Sequence, residues 1–429
     1  MLRALMVCWF AVTTVAATAQ PALTTDERCY LIGLVSDTWL GIAYMADTDS
    51  GLPEDNTERG GYTSVSNIGL YLACVPAAQR LHLIDRAQGL QRVSKVIEAC
   101  EKLPTWEGFP HSWLNTKKLG PTDEQIVSPV DLGNYEAGLI VCRQAYPELR
   151  ERIDALIEPM NWQAFYCPEN GWIHGGWSTK KASFTKWYYN WLAADSRTAS
   201  FLSVAHGAPL KHWESLVRTM DDGPGPPHFA PGWMGGGLFM QTMTALFIDE
   251  AGTPIGRSAA NFTWAQIRRG HDEALAAWGW SACATPDGKG YLGYGRFDQD
   301  VITPHATALA MLYFPHEAVA NLQALEKLGA REPLPRGDTR HGWGMRDSLN
   351  LQTGQVADRL LILDQAMLLL ACANMLADGC VRDWFQADPL FEAGRRAIGQ
   401  YQVTAAQRDE FWRQVQHLRE GRAEALKLD

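Results

Sequence analysis

From Thr24 onward the sequence repeats one pattern: an apolar stretch of helical period, a long loop rich in glycine, aromatics and acids, a second helical stretch, then a short turn. Thr24-Thr25-Asp26-Glu27 reads as a capping box opening a helix to about Met45, with Leu31, Val35, Trp39 and Ile42 at helical spacing. Further helices are expected over 64–77 and 80–103, then in a pair that starts at Ser128-Pro129 and ends near 157. The pattern continues over 186–205, 210–220, from Gly237 to near Glu250, 259–278, 304–313, 315–328, 356–376, 388–401 and 404–426. Strand signals are nearly absent. Such alternation predicts an all-α fold, a closed double ring of about twelve helices, the (α/α)6 barrel. Its inner helices would be the small, apolar ones, and its long loops would form the rim of one cavity. An open α-solenoid is the rival, and the fixed self-similarity at roughly 30–45 residues that marks helical arrays is not found.

The first twenty residues read as a signal peptide. Arg3 is the only charge, an apolar core runs from Ala4 to Val15, and Ala17-Thr18-Ala19 offers a small-residue cleavage site, placing cleavage near Ala19. The apolar run is short of the roughly 20 residues a spanning helix needs, so no membrane insertion is expected and the mature protein should be periplasmic or secreted. No linker-like run divides the remainder, so residues 21–429 are expected to form one domain. Eight cysteines follow Cys8, scattered and without a C-x-x-C pair, which suits either disulfides in an oxidising compartment or buried thiols. A formal charge of −10 argues against nucleic acid or an anionic membrane surface as partner.

Seventeen tryptophans stand in the chain, many beside Gly, Asn, His or Asp rather than inside apolar runs. An indole offers a flat apolar face and one N–H donor, which suits stacking against a sugar ring. Pro231-Gly232-Trp233-Met234-Gly235-Gly236-Gly237-Leu238-Phe239-Met240 strips the backbone bare beside a Trp and a Phe, as a binding-site loop or a tight loop before a buried helix would.

No nucleophile elbow, zinc-binding H-E-x-x-H or phosphate loop is present. The candidate chemistry is acid beside aromatic. Glu54 and Asp55 lie in a polar loop, Asp131 opens a helix, and Asp195 precedes Arg197. Asp298 sits in a tyrosine-rich loop, Asp347 follows Trp343, and Asp364 interrupts an apolar helix. Each has a structural alternative: a helix-terminal charge for Asp131, solvated loop acids for Glu54 and Asp55, a turn for Asp298, an ion pair with Arg197 for Asp195. Asp364 is the most telling, because a carboxylate among Leu and Ala must be paired, hydrogen-bonded or protonated. Two carboxyls flanking a cleft, with aromatic platforms, are the equipment for cleaving a glycosidic bond.

In this order the motifs resemble those of the glycoamylase-like glycoside hydrolases, which include bacterial endo-β-1,2-glucanases and the C-terminal region of cyclic β-1,2-glucan synthases. The segment 187–207, with its Tyr/Asn/Trp run, acid and Arg-Thr-Ala-Ser, is similar to a family pattern in which the acid is Glu. The glycine stretch, 298–306, Tyr313-Phe314-Pro315-His316-Glu317-Ala318, 344–350, Leu363-Asp364-Gln365-Ala366 and 384–389 match further family segments in sequence order. The chain departs from the pattern at Asp195, one methylene shorter than Glu, and at Met240, where an acid follows Phe in the family. The resemblance implies an (α/α)6 barrel and hydrolysis of β-linked glucan, most plausibly β-1,2-linked, or of oligosaccharides derived from it, with no metal or organic cofactor.

On this reading Asp195 is the general acid, and Asp364 or Asp131 activates water. Trp233, Trp280 and Trp343 are sugar platforms, and Glu54, Asp55 and Asp347 bind sugar hydroxyls. Trp113, Tyr189, Arg197, Met234, Phe239 and Asp298 complete the substrate-binding set. A helical-toroid polysaccharide lyase and a non-catalytic glycan-binding protein are the alternatives. Oligomeric state is not legible in the sequence.

Overall fold

A computed structural model describes residues 20–122, 125–221, 223, 225–233, 236–293, 300–334 and 342–428. Among these it contains fifteen α-helices joined by long loops. The first, α1 (Thr25–Met45), opens on the expected capping box, the Thr24 hydroxyl accepting from the Glu27 N–H and the Glu27 carboxylate from the Thr24 N–H. It is followed by α2 (Val65–Arg80), α3 (Arg86–Cys100), α4 (Pro129–Ala145), α5 (Arg150–Ile157), α6 (Arg197–Ala205) and α7 (Lys211–Glu214). The second half supplies α8 (Leu238–Thr242), α9 (Pro254–Asp272), α10 (Pro304–Ala310), α11 (Pro315–Lys327), α12 (Ile362–Leu376), α13 (Cys380–Gln386), α14 (Pro389–Ala397) and α15 (Ala405–Arg419).

Six of these are neighbours in succession. α2 packs against α4, α4 against α6, α8 against α10, α10 against α12, and α12 back against α2. Between α6 and α8 the link is made by Arg197, which donates to the carbonyls of Met240 and Gln241. α2 is buried on every side from Val65 to Ala78, whereas α3, which packs on it, buries one face. α5, α9 and α11 cover α4, α8 and α10 in the same way. This alternation of mostly apolar and one-faced helices is what the sequence pattern encodes.

Glycines let the buried helices touch. A Cβ on Gly69 of α2 would lie 2.1 Å from the Asn134 carbonyl oxygen, and one on Gly138 of α4 would lie 1.9 Å from that of Gly69. On the other side of α4, Gly133 is similarly closed against α6.

Several expectations are corrected. The segment 186–205 is helical only from Arg197, because Tyr188–Tyr189 pairs antiparallel with Ile173 and His174; vicinal aromatics suit a pleated strand better than a helix turn. The 210–220 helix shrinks to Lys211–Glu214, the one after Gly237 stops at Thr242 with a short 3-10 turn beyond, and α12 begins at Ile362 rather than 356. α13, not anticipated, starts after Gly379 in the left-handed region at φ +83°. Among the described residues, fifteen strands of two or three residues stitch the loops together, too short to show a period of two in sequence. Among the described residues no single helix is long and apolar enough to cross a membrane. The eight described cysteines are free, and all but Cys29 are buried. The expected signal segment lies outside the described residues except for Gln20.

Candidate active site

The N-terminal ends of α2, α4 and α6 meet at one cavity of about 450 Å³. Each brings polar groups in its first turn or just before it. Ser64 caps α2, its hydroxyl accepting from the Asn67 N–H at 3.1 Å, which leaves Ser66 and Asn67 facing the cavity. Asp131, in the first turn of α4, accepts from the Ser66 hydroxyl at 3.0 Å, and the Asn134 amide donates to that same hydroxyl at 3.1 Å. Asp195 lies two residues ahead of α6, where the Ser196 N–H donates to its carboxylate at 2.9 Å. Asp55 arrives from the loop after α1, held by the side-chain amides of Asn67 at 3.0 Å and Asn56 at 3.1 Å.

Aromatic side chains close the walls. Trp113 is fixed by strand pairing between Trp113–Asn115 and Tyr62–Ser64, and its ring lies 6.0 Å from that of Tyr62. Trp233, Phe239 and Tyr291 line the opposite side with Arg359. Trp233 is 46% exposed, a free indole face at the mouth.

Burial sets the electrostatics. It pushes the Asp131 carboxyl up to about 6, against the lowering effect of hydroxyl bonds from Ser112 and Ser66. It pushes Asp195 up to about 6 as well, and there the negative charge of Asp131 adds to the effect while the Ser196 N–H opposes it. Asp55 is also raised by burial, with its two amide partners pulling the other way. Two carboxyls that repel across a shared cavity lose their protons in sequence, so in mildly acidic solution one is an acid while the other is a base.

Behind this cavity lies a second pair of acids. Asp347 accepts from the backbone N–H of Ala284 at 2.7 Å and of Leu361 at 3.2 Å, both cavity-wall residues. Asp364, 1% exposed, lies against it, with His305 Nδ1 3.4 Å from its Oδ2. Burial and the Asp347 charge push the Asp364 carboxyl well above the usual range, while burial pulls His305 down to about 3. His305 is therefore neutral at ordinary pH, and Asp364 holds its proton more tightly than an exposed carboxyl does. Asp364 does not border the cavity, so as placed it is a buried structural acid rather than a group that meets substrate.

Other expected site residues are also corrected. Arg197 is fully buried, bound to both oxygens of Glu250 at 3.0 Å and to backbone carbonyls, so it ties α6 to α8 and has no face left for substrate. Glu54 is buried and accepts the Gly61 N–H at 2.9 Å, bracing its own loop. Trp280 is in the core beneath the Arg269 guanidinium, and Trp343 stacks on Tyr44 of α1 at 4.2 Å; neither borders the cavity. Asp347 holds the wall instead of facing a sugar. Met234 and Asp298 lie outside the described residues. Asp55, Trp113, Asp131, Asp195, Trp233 and Phe239 do come together, and Tyr189 stands beside them, its hydroxyl 3.2 Å from that of Ser128.

Ser66, Asn67, Asn134, Tyr62, Tyr291 and Arg359 were not anticipated. For Asn67 and Asn134 the sequence held a usable signal, a polar side chain among the apolar residues of a helix, the same signal that singled out Asp364. Among the described residues no cluster of His, Cys, Asp and Glu could hold a metal ion.

Residues 37–206 match the family described as "Protein of unknown function (DUF3131)", and residues 232–389 match the family described as "Putative glucoamylase". Both matched segments contribute to the cavity, Asp131 and Asp195 from the first, Phe239 and Tyr291 from the second. The chain is 28% identical over 290 residues, 61% of its length, to the cyclic β-(1,2)-glucan synthase NdvB of Rhizobium meliloti, and covers 10% of that much longer protein. Among solved structures, a Bacteroides fragilis protein with the same glucoamylase description superposes with a TM-score of 0.77 at 17% identity, over 88% of this chain and 97% of that one. The endo-β-1,2-glucanase of Chitinophaga pinensis, solved with sophorotriose and glucose, gives 0.72 at 17% identity, over 88% and 98%. That of Talaromyces funiculosus, solved with sophorose, gives 0.66 at 13%, over 90% of each chain. This chain thus shares its helix-rich fold with these proteins.

Proposed function

We propose that this protein is a glycoside hydrolase acting on β-glucan, most plausibly β-1,2-glucan or its oligosaccharides. The observation that carries the reading is the pair Asp131 and Asp195, two carboxyls raised to about 6 that line one aromatic-walled cavity. The names carried by the similar proteins, a β-1,2-glucan synthase and β-1,2-glucanases, favour the linkage.

In this reading Asp195 is the general acid. Its carboxyl gives a proton to the glycosidic oxygen as the C1–O bond breaks, so the leaving sugar departs as an alcohol. Asp131, as carboxylate, takes a proton from the water whose oxygen bonds to C1. Trp113 and Trp233 supply platforms, and Asp55 with Asn67 binds sugar hydroxyls. The succession of neighbouring helices supports an (α/α)6 barrel over residues 21–429, and the N-terminal sequence pattern over residues 1–20 supports a signal peptide and a periplasmic or secreted enzyme.

The test is incubation of the protein with linear and cyclic β-glucans of defined linkage, with products resolved by chromatography. New reducing ends from β-1,2-glucan, lost in Asp195→Asn and Asp131→Asn, are expected. Binding without release of reducing ends would favour a glycan-binding protein, and an unsaturated product absorbing near-ultraviolet light a lyase.

A further inference from the structure

Asp195 and Trp233 border not one chamber but two. The second, of about 340 Å³, is walled by Trp187, Tyr188, Tyr189, Trp191 and Met240 and is not bordered by Asp131. The segment 187–191 is held there by its pairing with Ile173 and His174, and by the Gly175 N–H donating to the Trp187 carbonyl at 2.8 Å.

Trp187 is unusual among the large apolar side chains, at 57% exposed. Its indole is nonetheless seated: a Cβ on Gly175 would lie 2.1 Å from the indole nitrogen, so the ring packs on bare backbone while more than half of the side chain stays open to solvent. A rigid aromatic face open to solvent at the end of a chamber is what a pyranose ring stacks on. Trp191 is packed in turn on Gly232, where a Cβ would lie 2.8 Å from that of Trp191. Among the described residues the lining holds Asp195 as its one carboxyl and no lysine or arginine, so the ligand it fits is uncharged. Met240 sits below Asp195, its sulfur accepting the Asp195 N–H at 3.3 Å, and brings no charge to the floor.

We propose that this second chamber binds the leaving-group side of the substrate as an uncharged glycosyl chain, with Trp187 the platform for its outermost unit. The inference rests on the hydrolase reading. An acid at the junction protonates the oxygen that joins the unit in one chamber to the unit in the other. The chamber with Asp131 and Asp55 then holds the sugar whose C1 is attacked, and cleavage falls inside a chain that spans both.

The experiment uses β-1,2-linked gluco-oligosaccharides of graded length, labelled at the reducing end, with the wild type, Trp187→Ala and Trp187→Phe. For Trp187→Ala the expected result is a KM raised about tenfold on the longer chains, an unchanged kcat/KM on the shortest cleaved chain, and a shifted cleavage position. Trp187→Phe should restore most of the difference, and the melting temperatures of all three should agree because the side chain is exposed. If the wild type cleaves but Trp187→Ala has the same KM and product pattern, the chamber assignment is overturned and the hydrolase reading stands. If the wild type cleaves no β-glucan, both fail.

Discussion

Gly133 on α4 and Ala199 on α6 touch backbone to backbone: a Cβ on Gly133 would lie 2.6 Å from the Ala199 nitrogen. The contact lies two residues after Asp131 and four after Asp195, so it fixes how closely the two acid-bearing helix ends approach. Lower down, Glu136 of α4 accepts from His206, the C-cap of α6, at 2.6 Å, and from the Trp162 indole at 2.6 Å. The two acids are therefore held from behind by one close packing and one buried polar clamp. For Gly133→Ala neither backbone can yield without moving a helix, so a destabilisation of about 1–3 kcal/mol and a fall in kcat on β-1,2-glucan are expected. Gly399→Ala, which meets nothing within 4 Å, is the control; thermal melts and initial rates on both variants decide it.

Activity should depend on both acids near pH 6. The general acid must be protonated and the base ionised, so kcat/KM should follow a bell and decline as pH rises past about 6 and Asp195 loses its proton. Asp195→Asn and Asp131→Asn should each lower kcat by at least about 10²-fold. A pH profile that stays flat from 4 to 8, or an Asp195→Asn enzyme of full activity, would sink the assignment.

The same acids should cost stability at neutral pH. For Asp195 the folded-state value is raised from 3.8 to about 6, so between those values the folded state binds more protons than the unfolded one. Its contribution is therefore favourable at low pH and is lost as pH rises from about 4 to 6. A shift of about two units corresponds to about 3 kcal/mol. Asp195→Asn removes this dependence and should melt higher than the wild type at pH 7 but not at pH 4. Equal melting differences at the two pH values would contradict the burial argument.

Arg197 and Glu250 form a buried ion pair. Removing one partner leaves an uncompensated charge, so Glu250→Ala should destabilise by about 3–5 kcal/mol in urea unfolding. Were Arg197 a substrate ligand, Arg197→Lys would raise KM in an otherwise stable protein; the expected outcome is a loss of stability with KM little changed.

Asp364→Asn separates the two candidates for activating water. Because Asp364 is sealed off from the cavity, an amide of the same shape there should leave kcat within about tenfold of wild type, whereas Asp131→Asn should not. Rates on β-1,2-glucan for the two variants give the answer.

Which acids were worth watching could be read from the chain, because a carboxyl at the start of an apolar helix or inside one is conspicuous wherever it ends up. Asp131, Asp195 and Asp364 were all found that way, and only burial geometry separated them: two open onto the cavity and one is sealed behind it. Arg197 looked like a ligand because it follows an acid, yet its guanidinium turns inward to Glu250. Trp280 and Trp343 looked like platforms because indoles beside glycine suit sugars, yet both spend their faces on Arg269 and Tyr44. The helix expected over 186–205 failed for a non-local reason, since its first residues pair with 173–174, a partner no local period reveals.

The order of mostly apolar and one-faced helices, and with it a helix-rich fold with long loops, was determined by the sequence alone, because a helix buried on nearly all sides is apolar on most of them and carries a charge only where a partner meets it. So were the capping box at Thr24 and the start of α4 at Pro129, because caps act within one turn. Tertiary structure alone decided which acids share a cavity and how far burial raises them. Proximity across the fold and removal from water belong to side chains far apart in sequence, brought together by the glycine contacts that let α2, α4 and α6 close on one another.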